Sequence, residues 1–526
     1  MTTTSQTPVP SPAQGPETDE RPADRLPRVL RALAVVERLG NALPHPFWLF
    51  WILAGVLAVV SAVLSAAGVT VVSPKDGKSV TVQNLLSGDG LAMAVSTAVD
   101  NFASFGPMAT IVVVIMGVAV AERSGFLAAL MRVSVSRVPV SWVVFAVAFA
   151  GTVSHVASAA AYIILVPLGG LAFRAVGRSP ILGVVVAYTS IASGYDASPV
   201  PTPNDAIFAG ITTAAAKIVD PDAYVSPVSN WYFNIASSLL LATVITLVTK
   251  WVLAKRPDLD ADPDAELDDV EDLRLSRRDQ SALWLALTAG AVVLLAFVAV
   301  LLPGSSPLRG EDGSITDSPF LEGIAAVVAL LFAVVGITYG WRSGSIGKPG
   351  DVPRLMADGV RQMAPVLVLF FAIAQFLAYF DWTHIGDVVA VESAQALRTS
   401  GVPIALVFLL ILALMSVVNV LVTSGSAMWS IAAPVVVPML LLLDVPAETT
   451  QAIFRIADSG STAITPMSPY FVMALGFLQR YRKTAGIGTL ASYTLPLAVA
   501  MTVTWTLLFY AWWALGVPLG PGAPVR

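Results

Sequence analysis

From residue 46 to residue 516 the chain is a succession of apolar runs, most of them near the roughly 20 residues that an α-helix needs to cross a bilayer. Uninterrupted runs at 46–67, 104–122, 230–250, 282–302, 321–341, 363–382 and 487–515 each predict one spanning helix. Two further spans carry internal breaks: 180–217 is split by "SGYDASPVPTPND", and 447–478 by the polar stretch from Asp458 to Pro466. Two other segments are interrupted near their centres, 139–173 at Ser154–Ser158 and 402–443 at "TSGS". The arms of 139–173 are only about 15 residues each, too short to cross, so this segment reads as a re-entrant helical hairpin. The first arm of 402–443 is long enough to span.

Lys and Arg gather in cytoplasmic loops, which assigns sides. Arg25, Arg28, Arg31 and Arg38 place the N-terminus inside, and Arg123, Arg132 and Arg137 bring the chain back after the second span. Arg174 and Arg178 then follow the first hairpin, so both of its ends are inside. Segment 402–443 is followed by Asp444 and Glu448, and parity puts its two ends outside. The expected architecture is an all-α polytopic membrane protein with nine transmembrane helices and two opposed re-entrant hairpins. Its parts are a disordered cytoplasmic tail (1–24), a basic amphipathic segment (25–45), a first membrane half (46–256), an acidic cytoplasmic linker (257–280), a second half (281–516) and a C-terminal tail (517–526).

Composition agrees: 56% of residues are hydrophobic, 12% are charged, and the mean hydropathy is +0.77. Nearly the whole chain is membrane domain, so no soluble catalytic domain is left over. The net charge of −5, with its acidic excess in tails and linkers, argues against nucleic acid as a partner. With no Cys the chain has no disulfide, thiolate metal site or Cys nucleophile.

Two units of the sequence resemble each other. A Ser-rich break at Ser154, then Pro167, then a broken span at Ser193–Asp205 is matched by Ser424, Pro438 and the break at Asp458–Pro466. Because the two hairpins enter from opposite sides, the repeats have inverted topology, the plan of many secondary transporters. Irregular backbone at membrane depth is tolerated where it lines a cavity, and its free N–H and C=O ends attract anions and cations respectively.

Charged residues at these breaks are the candidates for chemistry, since each costs about 2.5–3.5 kcal/mol at bilayer depth. Arg455 and Asp458 share a helix face, which suits either a mutual ion pair or a division in which Arg455 clamps a substrate carboxylate and Asp458 serves a cation or proton. Asp205 has no basic residue nearby in sequence and needs a cation, a proton or a distant partner. Asn204 is its weaker neighbour, and Asp196 reads as a helix cap. Asn419, Ser424 and Ser426 cluster beside Trp429, whose ring offers an aromatic face to a substrate. His155, at the first hairpin tip, is a candidate proton relay, and Glu122 a solvated edge residue. The rival readings are a passive channel and an intramembrane hydrolase using Ser426 and His155, although no G-x-S-x-G turn supports the latter.

The stretches "NVLVTSGSAMWSIAAPVVVPM", "TQAIFRIADSGSTAITPMSPYF", "NDAIFAGIT" and "SNWYFNIAS" resemble the AbgT family, named for p-aminobenzoyl-glutamate transport, over about residues 40–515. The resemblance implies nine transmembrane helices, two opposed hairpins, a homodimer in the bacterial inner membrane with its N-terminus in the cytoplasm, and ion-driven transport of p-aminobenzoyl-glutamate or export of sulfonamide antimetabolites. A different small organic anion, such as a dicarboxylate, is the alternative cargo. Carried over by position, the family's substrate-site residues fall on Asp205, Ser426, Trp429, Arg455, Asp458 and Pro466. Its sodium-site residues fall on Asn419 and Asp458, with Na+ or H+ as the coupling ion and no cofactor. The chain departs from the family pattern at His155, Ala159, Met428 and Thr462.

Overall fold

The computed structural model describes residues 44–526 apart from 73–76, 137, 264, 266–274, 311–312 and 316–317. The expected tail 1–24, nearly all of the basic segment 25–45 and part of the acidic linker 257–280 lie outside the described residues. In chain order the helices are α1 (Pro46–Ala66), α2 (Gly88–Ser96), α3 (Ala98–Ala103), α4 (Gly106–Arg123), α5 (Phe126–Ser136), α6 (Val143–Val153), α7 (Ser158–Ala175), α8 (Pro180–Ala192), α9 (Pro203–Ala216) and α10 (Trp231–Trp251). The second half contributes α11 (Arg277–Leu301), α12 (Pro319–Glu322), α13 (Ile324–Ser343), α14 (Asp351–Trp382), α15 (Ile385–Ser400), α16 (Ile404–Leu421), α17 (Gly425–Leu441), α18 (Ala447–Thr462), α19 (Pro469–Tyr481) and α20 (Ile487–Leu515). A small antiparallel pair, β1 (Thr70–Val72) with β2 (Ser79–Thr81), sits in the loop after α1.

Seven described helices, α1, α10, α11, α13, α14, α16 and α20, are long and apolar enough to cross a membrane, and α4 with α5 form an apolar pair bent by 61° that brings the number to eight if it is counted as one span. The expected span at 104–122 corresponds to α4, and the chain bends after it. Gly125 adopts φ +92° between the two helices, a conformation that favours glycine, and the chain turns there and stays apolar through α5. Helix α14 starts at Asp351 rather than at 363, its extra turns carrying Arg354 paired with Asp351 (3.0 Å) and Arg361 paired with Asp358 (2.5 Å). Helices α2, α3 and α15 lie in stretches where hydropathy alone predicts only loops.

The four breaks organise the centre. Helices α6 and α7 meet at a 3-10 turn, Ser154–Ala157, and α16 meets α17 at Val422–Ser424. Helix α8 packs on its own hairpin, α6 and α7, while α9 crosses to α17 and α18 of the other unit. Helix α18 likewise packs on α16 and α17, while α19 crosses back to α7 and α8. The two units thus exchange half-spans in the same way. Close backbone approach makes this possible: a Cβ on Gly183 of α8 would lie 2.1 Å from the Gly169 carbonyl of α7, so only glycine fits. Arg398 of α15 donates to the carbonyl of Leu442, which brings the entry and exit of the 402–443 segment to one place.

Both connecting tails are docked in their described parts. In the linker, Arg256 Nε and Nη2 each donate to Asp258 at 3.0 Å, Arg482 Nη1 adds a contact at 3.3 Å, and Arg256 lies 4.3 Å over the Tyr493 ring. At the C-terminus, Phe233 N donates to the Leu519 carbonyl (3.0 Å) and Thr449 Oγ1 to the Val525 carbonyl (2.8 Å), tying 517–526 to the starts of α10 and α18.

Hydrogen bonds from Arg256 hold the Asp258 carboxyl well below the usual aspartate range. Folding favours the ionised form, so the clamp's contribution is present above the ordinary aspartate pKa of about 4 and lost as pH falls below it. Asp258→Asn is expected to cost about 1 kcal/mol, since the clamp is partly solvated. Thermal melting of the purified protein at neutral pH checks this, and the difference between variant and wild type should shrink as the pH is lowered through 4.

Candidate functional site

The centre of α18 carries a polar stripe, Gln451, Arg455, Asp458 and Thr462, on one helix face at spacings of three and four. Arg455 does not pair with Asp458. Its Nη2 lies 2.7 Å from Asp205 Oδ1 at the start of α9, with both side chains almost wholly buried. The angle falls outside that of a hydrogen bond and Nε has no partner, so the contact is chiefly one of charge. Nη1 reaches the Asp196 carbonyl at 3.5 Å, and the guanidinium stands 5.4 Å over the Phe208 ring. The other Asp205 oxygen caps α9, accepting from Thr202 N (2.6 Å) and Thr202 Oγ1 (2.7 Å). Asp205 therefore has the basic partner that local sequence lacked, and Arg455 faces that carboxylate rather than Asp458.

Trp429 is fully buried, stacked on Phe454 at 4.4 Å, and its indole N–H donates to Thr212 Oγ1 at 2.9 Å. Thr212 Oγ1 lies 2.7 Å from Gln451 Oε1, and Gln451 Nε2 donates to Asn230 Oδ1 at 2.9 Å. This network joins α9, α10, α17 and α18 and leaves the Trp429 ring no open face for a substrate.

A cavity of about 250 Å³ lies in front of this framework, lined by Tyr162, Tyr195, Asn204, Phe208, Thr423 to Ser426, Asp458, Thr462 and Ser468 to Tyr470. Of the expected substrate residues, Ser426 and Asp458 line it. Asp205, Arg455 and Trp429 stand behind it, and Pro466 lies in the α18–α19 break without lining it. Three helix N-termini meet at its wall: α9 at Asn204, α17 at Gly425 and α19 at Pro469. Tyr162 and Tyr470, from α7 and α19, stack at 4.1 Å and close one side. A larger cleft of about 400 Å³ between α5, α6 and Phe332 is walled by apolar side chains and the hydroxyls of Ser134 and Ser154, and carries no charge.

Asn419 is buried. Its Nδ2 donates to the Asp458 carbonyl, to Ser461 Oγ (2.9 Å) and to Thr462 Oγ1 (3.3 Å), while its Oδ1 has no donor. His155 is buried edge-on to Tyr195 at 4.8 Å with neither ring nitrogen bonded, one residue removed from the cavity. Glu122 is half-buried at the end of α4. Among the described residues no group of three or more His, Asp or Glu is arranged to hold a metal.

Residues 31–526 match the family model described as the AbgT putative transporter family. The chain belongs to the AbgT family. It is 37% identical to the p-aminobenzoyl-glutamate transport protein of Escherichia coli strain K12 over 491 residues, 93% of this chain and 95% of that protein. Among solved structures it is similar to the Alcanivorax borkumensis YdaH transporter, whose crystal structure is described as having an unusual topology (TM-score 0.85, 37% identity, 91% of this chain and 100% of that one). It is also similar to Neisseria gonorrhoeae MtrF, described as illuminating a class of antimetabolite efflux pumps (TM-score 0.89, 35% identity, 94% and 100%).

For this AbgT-family chain, sequence reasoning missed Gln451, Thr212 and Asn230, although the spacing of Gln451 from Arg455 and Asp458 marked it as sharing their face. Asp196 caps nothing. Its backbone N–H donates to Ser459 Oγ (3.0 Å), and both carboxylate oxygens are buried without a hydrogen-bond donor.

Removing one partner of a buried pair strands the other charge. Arg455→Met or Asp205→Leu alone is expected to cost about 3–5 kcal/mol, and the Arg455→Met, Asp205→Leu double mutant clearly less than the sum. Unfolding in micelles for the four proteins of the cycle checks this. The cap to Thr202 is lost in both proteins that lack Asp205, so it cancels, and simple additivity would mean the two groups do not interact.

Proposed function

We propose that this protein is an ion-gradient-coupled secondary transporter of a small aromatic carboxylate, p-aminobenzoyl-glutamate or a close relative, with export of sulfonamide-type antimetabolites as a related activity. The observation that carries this reading is the convergence of the N-termini of α9, α17 and α19 on one cavity with aromatic walls. The positive ends of the α17 and α19 dipoles favour an anion there without a free Arg or Lys, whereas α9 is already capped by Thr202 and Asp205. Phe208, Tyr162 and Tyr470 supply the faces for an aryl ring, and Ser426 a hydroxyl.

The names of the relatives point to the same cargo. In this reading the chain has nine spans with inverted repeats and opposed hairpins, sits in the bacterial inner membrane with its N-terminus in the cytoplasm, and works as a homodimer. Na+ or H+ drives it through Asp458 and Asn419, whose donor-free Oδ1 is an oxygen of the kind that Na+ takes. Asp205 and Arg455 hold the broken helices in place beside this path. A dicarboxylate without an aryl ring is the alternative cargo, and the aromatic lining disfavours it.

Flux of labelled p-aminobenzoyl-glutamate into proteoliposomes, under imposed Na+ or proton gradients, tests the reading. One of the two gradients is expected to drive accumulation. Flux down the substrate gradient alone, indifferent to both ions, would identify a channel, and cleaved product in the lumen an enzyme. Gly425→Ala is expected to lower flux at least tenfold, because a Cβ there would stand 2.3 Å from Asp458 Oδ2 in the cavity wall.

A further inference from the structure

The central cluster holds three buried carboxylates, Asp196, Asp205 and Asp458, and one guanidinium, Arg455. Asp205 takes the guanidinium at 2.7 Å, which leaves Asp196 and Asp458 without a cation of their own. The Asp196 backbone is fixed to α18 by its N–H on Ser459 Oγ at 3.0 Å and its carbonyl on Arg455, which sets its buried side chain beside Asp458. Both Asp196 oxygens lack a donor among the described residues, since an ionised Asp458 is itself only an acceptor. Two adjacent buried carboxylates repel each other, so ionising both is costly. One proton shared between them removes a charge and supplies the missing donor at once.

We propose that Asp196 and Asp458 form a proton-binding pair, with one proton held as O–H···O⁻ between them, and that Asp196 is the residue that makes coupling in this chain a proton cycle. This rests on the transport reading above. A second feature points into the same place: Tyr162, almost wholly buried, has a hydroxyl with no partner and lines the cavity beside Asp458. The other titratable or charged groups facing the pair are Arg455 on α18, Asp205 on α9, Tyr195 in the α8–α9 break, Tyr162 on α7 and Tyr470 on α19, with His155 behind Tyr195. In the cycle the proton enters from one side, bonds to a carboxylate oxygen, and leaves to water on the other side, the pair passing from one shared negative charge to two and back.

Infrared spectra of the full chain in lipid nanodiscs, titrated with pH, read the proton without reference to any cargo. The wild-type-minus-Asp196→Asn and wild-type-minus-Asp458→Asn differences should each show one protonated-carboxyl C=O stretch at neutral pH that disappears on alkalinisation and is indifferent to NaCl. Absence of that band from the Asp196→Asn difference, or its displacement by Na+ at fixed pH, would overturn the proposal. In proteoliposomes, accumulation driven by a proton gradient should fall at least tenfold in Asp196→Asn relative to counterflow exchange in the same vesicles. Unchanged proton-driven accumulation would refute it. A wild type that moves no p-aminobenzoyl-glutamate while keeping the infrared band would instead count against the cargo and leave the proton pair standing. Co-elution of Asp196→Asn with the wild type on size exclusion shows that the variant is folded.

Discussion

The ion pair between Arg455 and Asp205 is the contact that fixes the breaks of one unit against those of the other. Either charge alone would be expensive at this depth, and neither has a second ionic partner within 4 Å among the described residues. Asp205 divides its two oxygens, one capping α9 through Thr202 and one facing Arg455. The start of α9 and the middle of α18 are therefore held by the same carboxylate. A helix start that would otherwise be free to slide is locked to the other unit.

Beside that contact the same two helices are joined again by neutral groups. Trp429, Thr212, Gln451 and Asn230 form a chain of hydrogen bonds in which the apolar bulk of Trp429 and Phe454 excludes water. Low local polarity strengthens each of these bonds and makes the loss of any one costly. The cavity thus has a rigid back wall of paired charge and bonded amides, and a front wall of helix ends and tyrosines. This division explains why the most polar residues of α18 do not all face the cavity. Some build the wall, and Asp458 and Thr462 open through it.

Much of this was legible in the sequence, for identifiable reasons. The breaks announce themselves because Ser, Gly, Pro and Asp interrupt runs that are otherwise apolar, and the charges at depth are few enough to name. Partner choice was not legible. Spacing along α18 suggested Arg455 with Asp458, but the chain crossing that brings α9 against α18 decides for Asp205, and nothing local encodes that crossing. Trp429 looked like a ligand platform because a break lies beside it, yet the side of α17 that carries it faces α9 and α18. Asp196 looked like a cap because caps are what Asp commonly does near a helix end, and only the fold reveals that its side chain lies beside another carboxylate. The bend at Gly125 and helix α15 escaped because hydropathy reports apolar length and not direction.

Buried polar atoms without hydrogen-bond partners crowd around the helix breaks, although Asn234 and Thr249 on α10 and Ser416 on α16 also lack one. Elsewhere, Ser and Thr side chains such as Ser237, Thr246, Thr288 and Thr504 donate to carbonyls of their own helices, so polarity is absorbed locally and carries no further demand. Around the breaks the pattern reverses: His155, Tyr162, Ser193, Asp196, Asn419 Oδ1 and Arg455 Nε are buried without hydrogen-bond partners. Native interiors satisfy such groups almost everywhere, because an orphaned buried polar atom costs about 1–3 kcal/mol. At the breaks the fold leaves donors and acceptors open beside the cavity. It holds them in reserve for a ligand, an ion or a proton that enters and leaves, while Asp205 keeps the Arg455 charge from standing alone immediately behind.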